Sequence, residues 1–185
     1  MTLEQLPNDL PVPLDDGGAD HLAGTPLPSI ALPATTGGKI DVSVVGSPWA
    51  AVYVYPMTGR PDQELPDGWE MIPGARGCTP QTCAFRDHWA ELAKLGCEVY
   101  GLSVQTPEYQ REMVERLHVG FPVLSDSEMS LGTTLHLPTM DAAGMTLYKR
   151  LTMIVRDGVI EEVIYPVFPP DRNAADVVAW LRATA

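Results

Sequence analysis

Residues 77–97 read Gly77-Cys78-Thr79-Pro80-Gln81-Thr82-Cys83-Ala84-Phe85-Arg86-Asp87-His88-Trp89-Ala90-Glu91-Leu92-Ala93-Lys94-Leu95-Gly96-Cys97. Phe85, Trp89, Leu92 and Leu95 recur at three- and four-residue steps, which predicts an amphipathic helix over Pro80–Leu95. Pro80 suits its first turn and Gly96 stops it. Upstream, Ala50–Tyr55 (Ala-Ala-Val-Tyr-Val-Tyr) reads as a buried strand ending at Pro56. Downstream, Glu98–Val104 is predicted as a strand, Pro107–Leu117 as a helix, Phe121–Leu124 as a short strand and Glu128–Leu135 as a short helix. Leu147–Val155 and Val159–Val167 are predicted to pair as an antiparallel hairpin through Asp157-Gly158. A last helix covers Ala174–Leu181 and begins near Asp171.

This order of elements combines parallel crossovers with a terminal hairpin. It predicts an α/β protein with a central mixed sheet flanked by helices, for which the thioredoxin-like fold is the natural candidate. Before the first long strand, Ser29–Pro33, a turn at Thr36-Gly37-Gly38 and Lys39–Val42 read as a small hairpin. Residues 1–27, rich in Pro, Asp and Gly, read as an extended arm. Residues 28–185 form the domain. Within it, 57–77 is a long Pro- and Gly-dense loop of the kind that is usually functional.

Composition narrows the function. The 185 residues carry a formal charge of −12. That charge repels phosphate backbones and anionic lipid surfaces, so neither nucleic acid nor membrane is an expected partner. No run of 18 apolar residues marks a span, and the first residues lack the basic and apolar blocks of a signal peptide. The expectation is a cytoplasmic protein. The three cysteines, Cys78, Cys83 and Cys97, are too few and too odd for a disulfide framework. The four histidines lie far apart and match no metal-ligand spacing, so no cofactor or metal is expected.

Cys78 falls where the helix should begin. There, unpaired backbone N–H groups and the helix dipole favour an anion, and a thiolate is the reactive form of cysteine. Cys83 follows five residues later. In an intact helix the two lie about 7.5 Å apart along the axis and point about 140° apart. A disulfide requires Cα atoms within about 7 Å, so a Cys78–Cys83 bond requires the first helical turns to unwind. Cys97, entering a strand after Gly96, reads as a small buried hydrophobe.

Four blocks, Tyr55-Pro56, Gly77-Cys78-Thr79-x-x-x-Cys83-x-x-Arg86-Asp87, Gly101-Leu102-Ser103 and Phe121-Pro122-Val123-Leu124-Ser125-Asp126, occur in this order. Together they resemble peroxiredoxins of the bacterioferritin-comigratory-protein class over roughly residues 25–182. The resemblance implies a thiol peroxidase whose substrate is hydrogen peroxide or an organic hydroperoxide. It makes Cys78 the attacking cysteine, oxidised to a sulfenic acid, and Cys83 the resolving partner. It also implies recycling by thioredoxin or a similar dithiol donor, in a monomer or a homodimer. Arg150, ahead of Leu151–Val155, matches an arginine that supports the thiolate in some members.

The sequence departs from the pattern in two places. The family places a Thr or Ser hydroxyl three residues before the attacking cysteine; Ala75 stands there. About fifteen residues separate Tyr55-Pro56 from their expected distance to Cys78. Pro56 is then the family proline displaced in sequence, and Thr58 or Thr79 is the candidate replacement hydroxyl. Arg86 is a further candidate, belonging to the cysteine block. The insertion brings Trp69, Met71 and Ile72, read either as a cover over the site or as a loop packing its own apolar residues. A disulfide oxidoreductase is the competing enzyme, but no Cys-x-x-Cys occurs. A redox sensor or non-turnover binding module on the same fold is the alternative of a different class.

Overall fold

A computed structural model describes residues 6–7 and 9–184; Met1–Gln5 and Asn8 of the predicted arm lie outside the described residues. Nine strands and four α-helices follow in the order β1 (Ala31–Pro33), β2 (Lys39–Asp41), β3 (Trp49–Val54), α1 (Cys78–Lys94), β4 (Cys97–Ser103), α2 (Pro107–Arg116), β5 (Val123–Ser125), α3 (Ser130–Leu135), β6 (Thr139–Ala142), β7 (Met145–Tyr148), β8 (Leu151–Arg156), β9 (Val159–Ile164) and α4 (Asn173–Thr184). Short 3-10 turns occupy Trp69–Met71 and Pro170–Arg172.

The main sheet has strand order β5-β4-β3-β8-β9. β3 pairs parallel with β4, and β4 with β5, while β8 and β9 are antiparallel. The crossovers β3→β4→β5 step the same way across the sheet. Right-handed connections therefore place α1 and α2 on one face. α4 joins them there: Phe85, Leu92, Met113, Val177 and Leu181 share one core with Ala51 and Tyr53 of β3. The alternate β3 residues Ala50, Val52 and Val54 face a second core, which holds Leu131 and Leu135 of α3. This two-residue alternation is what lets one strand serve both cores.

The predicted helix and strand positions hold to within a few residues, except in one region. The sequence predicts a single strand over Leu147–Val155. The structure splits it: 145–148 pairs with β6 in a separate hairpin, and the main-sheet strand starts at Leu151. Between them Lys149 and Arg150 adopt no regular structure. The polar pair interrupts the apolar run, and Tyr148 is anchored across the domain by donating to Asp126 at 2.7 Å. Asp126 also accepts from the amides of Ser130 and Gly132, so the end of the Phe121–Asp126 block caps α3. The break frees Arg150 to turn toward α1. The Asp157-Gly158 turn forms as predicted, both residues at positive φ.

The stripe of α1 is narrower than its spacing suggests. Phe85 and Leu92 are fully buried, but Trp89 is 41% exposed and leans edge-on against Phe121. Residues of the 1–27 segment pack on the domain: Leu22 and Leu27 join the core beside α3, and Asp16 pairs with Lys149. In the 57–77 segment, Trp69 and Ala75 pack with Ala142 and Leu147 of the small hairpin, and Met57, Leu65 and Ile72 complete the cluster. Met71 is exposed.

Candidate active site

Cys78 is the first residue of α1, and Gly77 is its N-cap at φ 109°. A Cβ at Gly77 would stand 2.3 Å from Cγ of Pro170, so only glycine fits both the backbone angle and the space. Among the described residues no side chain caps α1, and its own first turn carries no acidic residue. The positive end of the helix dipole therefore faces the Cys78 sulfur.

Arg150 supplies the second positive element. Its Nη2 stands 3.1 Å from Sγ of Cys78. The same nitrogen reaches the carbonyl oxygens of Gly74, Ala75 and Arg76 at 3.2, 3.1 and 3.3 Å. Nη1 donates to Oε1 of Gln81. Both partners are nearly sealed, Cys78 and Arg150 each 3% exposed. A charged hydrogen bond at this depth is much less screened than one at the surface.

A small cleft opens onto the sulfur, lined by Thr58, Gly59, Trp69, Arg76, Gly77 and Thr79 among others. Both candidate hydroxyls therefore lie on the wall of the Cys78 cleft. Thr58 is held by Gln105: its amide and hydroxyl both donate to Oε1, at 2.8 and 3.2 Å, and its carbonyl accepts from Nε2 at 3.0 Å. Arg76, also buried, lies 3.8 Å from Glu70. Pro56 is buried two residues after the end of β3. Ala75 contributes its carbonyl to Arg150 and to the Cys78 thiol.

Arg86 is placed elsewhere. Eight residues along α1, about 12 Å from Cys78 on the axis, it donates to Asp87 and to the carbonyl of Leu117 at the end of α2. Its position ties two helices together. Cys83 is half-buried on intact α1, and no disulfide joins the three cysteines. Cys97 is buried, and burial pushes its thiol up to about 12, which keeps it protonated and unreactive at neutral pH. Among the described residues no three His, Cys, Asp or Glu side chains gather as metal ligands.

Gln81, Asn173 and Thr152 form a buried polar group behind Arg150 that the sequence reading does not single out. Gln81 Nε2 donates to Oδ1 of Asn173 at 2.8 Å, and Thr152 Oγ1 donates to the same oxygen at 2.7 Å. Gln81 carried one legible signal, its i, i+3 spacing from Cys78 on one helix face. Asn173 and Thr152 carried none. Tyr53, whose hydroxyl donates to Thr82 at 3.2 Å, stacks on Phe85 with ring centroids 4.4 Å apart and backs the same turn of α1.

A five-stranded mixed sheet, with a sealed cysteine at the first turn of the helix after the central strand, is the thioredoxin-like arrangement. Within that class the chain belongs to the AhpC/TSA family, whose profile matches residues 71–163. It is 27% identical over 167 residues to peroxiredoxin Bcp of Escherichia coli, covering 88% of this chain and 97% of that one. It is 24% identical over 160 residues to the chloroplastic peroxiredoxin Q of Populus jackii, covering 86% and 68%. Among solved structures, peroxidoxin BcpB of Mycobacterium tuberculosis superposes with a TM-score of 0.73 at 24% identity, covering 89% of this chain and 99% of that one. The bacterioferritin comigratory protein of Xanthomonas campestris gives 0.67 at 19%, covering 95% and 99%.

Proposed function

We propose that the protein is a thiol-dependent peroxidase in which Cys78 is the attacking residue, Cys83 resolves it and Arg150 supports the charge. The observation that carries this reading is the guanidinium of Arg150 at 3.1 Å from the Cys78 sulfur, at an uncapped helix start. Membership of the AhpC/TSA family and the likeness to peroxiredoxins Bcp and Q support the same chemistry.

The thiolate sulfur attacks the terminal oxygen of the peroxide. An S–O bond forms, the O–O bond breaks, and the departing oxygen leaves with the electron pair and takes up a proton. Cys78 becomes a sulfenic acid, and water or an alcohol is released. Arg150 holds positive charge where the thiolate starts and where the leaving oxygen develops its charge. The Cys83 thiolate then attacks the sulfenic sulfur, closing a disulfide and releasing water. Two thiols of a thioredoxin-like donor reduce the disulfide by exchange. Such recycling suits the reducing cytoplasm expected from the sequence.

For an organic hydroperoxide, the alkyl part has room nearby. An apolar cavity of about 500 Å³, walled by Val104, Met129, Met145 and Leu147, shares Met57, Gly59 and Leu65 with the Cys78 cleft. That volume falls within the usual range for small-ligand pockets.

The test is consumption of hydrogen peroxide and cumene hydroperoxide with a thioredoxin and its reductase. Cys78→Ser is expected to abolish turnover. Cys83→Ser is expected to consume one equivalent of peroxide, leave a trappable sulfenic acid and lose recycling by this route. A wild type that oxidises at Cys78 but does not turn over would replace the peroxidase with a stoichiometric redox sensor, the reading that Ala75 in place of a hydroxyl residue favours.

A further inference from the structure

We infer that Asn173 is a positioning residue for this chemistry, acting through Gln81 to hold the Arg150 guanidinium on the Cys78 sulfur. The inference rests on the peroxidase reading above and adds a residue on a different element, the start of α4.

Arg150 has donors only. Its Nη1 meets Gln81, so Gln81 must present its carbonyl oxygen to Arg150. The amide group of Gln81 then points the other way and requires an acceptor. Gln81 is fully buried, so bulk water does not serve. Oδ1 of Asn173 is the acceptor, at 2.8 Å. Asn173 is itself an amide that could offer either end. The Gln81 amide group, a donor only, selects its oxygen, and the hydroxyl of Thr152 donates to the same Oδ1 at 2.7 Å. All three side chains are completely buried.

The arrangement has a cost that points to its purpose. With Oδ1 turned to two donors, Nδ2 of Asn173 is buried without a hydrogen-bond partner among the described residues. A buried unmet donor disfavours the fold. Apolar residues of similar size would avoid that cost, since the neighbours Ala174, Val177 and Ile154 belong to an apolar core. The orientation instead serves Arg150. Among the described residues no carboxylate pairs with Arg150. Its fixed partners are carbonyl oxygens, which orient the guanidinium without cancelling its charge. An acidic residue in the place of Gln81 would hold Arg150 but compete with the thiolate for it.

Gln81 also lies between Cys78 and Cys83, in the turns that must unwind for the disulfide to form. The Asn173–Gln81 bond therefore exists only while α1 is wound. It couples a wound helix to an Arg150 placed for attack, and it is lost on resolution.

The test is a double-mutant cycle with two readouts on Cys78: the pH profile of its alkylation by iodoacetamide, followed on the Cys78 peptide, and the second-order rate of its oxidation by hydrogen peroxide. Asn173→Leu and Gln81→Met are each expected to move the alkylation profile to higher pH and to slow oxidation by about tenfold at neutral pH. The double variant is expected to match Gln81→Met alone, because Asn173 acts through Gln81. Thr152→Val, which removes the second donor to Asn173 Oδ1 and loosens that side chain, is expected to shift the profile in the same direction and serves if Asn173→Leu does not fold. Additive effects in the cycle, or a lower melting temperature with an unchanged profile, would overturn the inference and leave Asn173 as a structural residue. A wild type that reduces no peroxide would overturn the peroxidase reading itself, an outcome visible before any variant is made.

Discussion

The Nη2 atom of Arg150 and the Sγ atom of Cys78, 72 residues apart in sequence, lie 3.1 Å apart, both nearly buried at the foot of a small cleft. Arg150 reaches this position because the chain breaks between β7 and β8, and its guanidinium is spread over three backbone carbonyls and Gln81. The sulfur thus meets a cation whose geometry is set by the fold on several sides.

Arg150→Met is expected to lower kcat/KM for hydrogen peroxide by at least about 100-fold, the usual loss when a preorganised charge donor is removed. Arg150→Lys is expected to recover little, because one flexible ammonium cannot bridge the sulfur, Gln81 and the 74–76 carbonyls together. Stopped-flow oxidation of the reduced protein measures both. Near-wild-type rates for the lysine variant would show that charge alone suffices.

Oxidation is expected to unwind the first turns of α1. A crystal structure of the disulfide form should show residues 78–83 out of helix and the Arg150–Gln81 bond broken, while Phe85 to Lys94 stay helical. Amide exchange in the oxidised protein should show lost protection confined to those first turns. A Cys78–Cys83 bond carried on an unchanged helix would refute the expectation.

Thr58 is the better placed of the two candidate hydroxyls, because Gln105 holds both its amide and its side chain against the Cys78 cleft. Its proton goes to Gln105, which leaves its oxygen lone pairs able to accept a hydrogen bond. Thr58→Val is expected to reduce kcat/KM for hydrogen peroxide by about tenfold through a poorer orientation of substrate. An effect below about twofold would return the role to backbone donors in the first turn of α1.

Cys97 gives a pH prediction. Burial raises its thiol from 9.0 to about 12 in the folded protein. The native state therefore keeps a proton that the unfolded chain releases. Stability from this group is complete below about pH 9 and is lost as pH rises toward 12. Burial also holds the phenols of Tyr53, Tyr55 and Tyr148 well above their ordinary value, so they too lose stability to the unfolded chain as pH rises, and the informative quantity is a difference. Urea midpoints of wild type and Cys97→Ala should converge between those pH values, with wild type losing more. Parallel curves would mean that Cys97 is not held protonated by the fold.

The local sequence determined a good deal. The apolar spacing in α1, the alternation in β3 and the Asp157-Gly158 turn each rest on neighbours along the chain, so the element order and the thioredoxin-like sheet were legible from it. So was Cys78 at a helix start, because Pro80 marks that start by backbone chemistry alone. Other features depended on the tertiary structure. The apolar run Leu147–Val155 concealed the break that positions Arg150, since the break depends on Tyr148 reaching Asp126 across the domain. The distance of Arg86 from Cys78 follows from the rise of the helix, which motif proximity does not convey. The Gln81–Asn173–Thr152 group joins three elements through donor and acceptor directions. Those directions exist only once the elements are packed, because hydrogen-bond polarity is a property of the assembled interior and leaves no periodic trace in the chain.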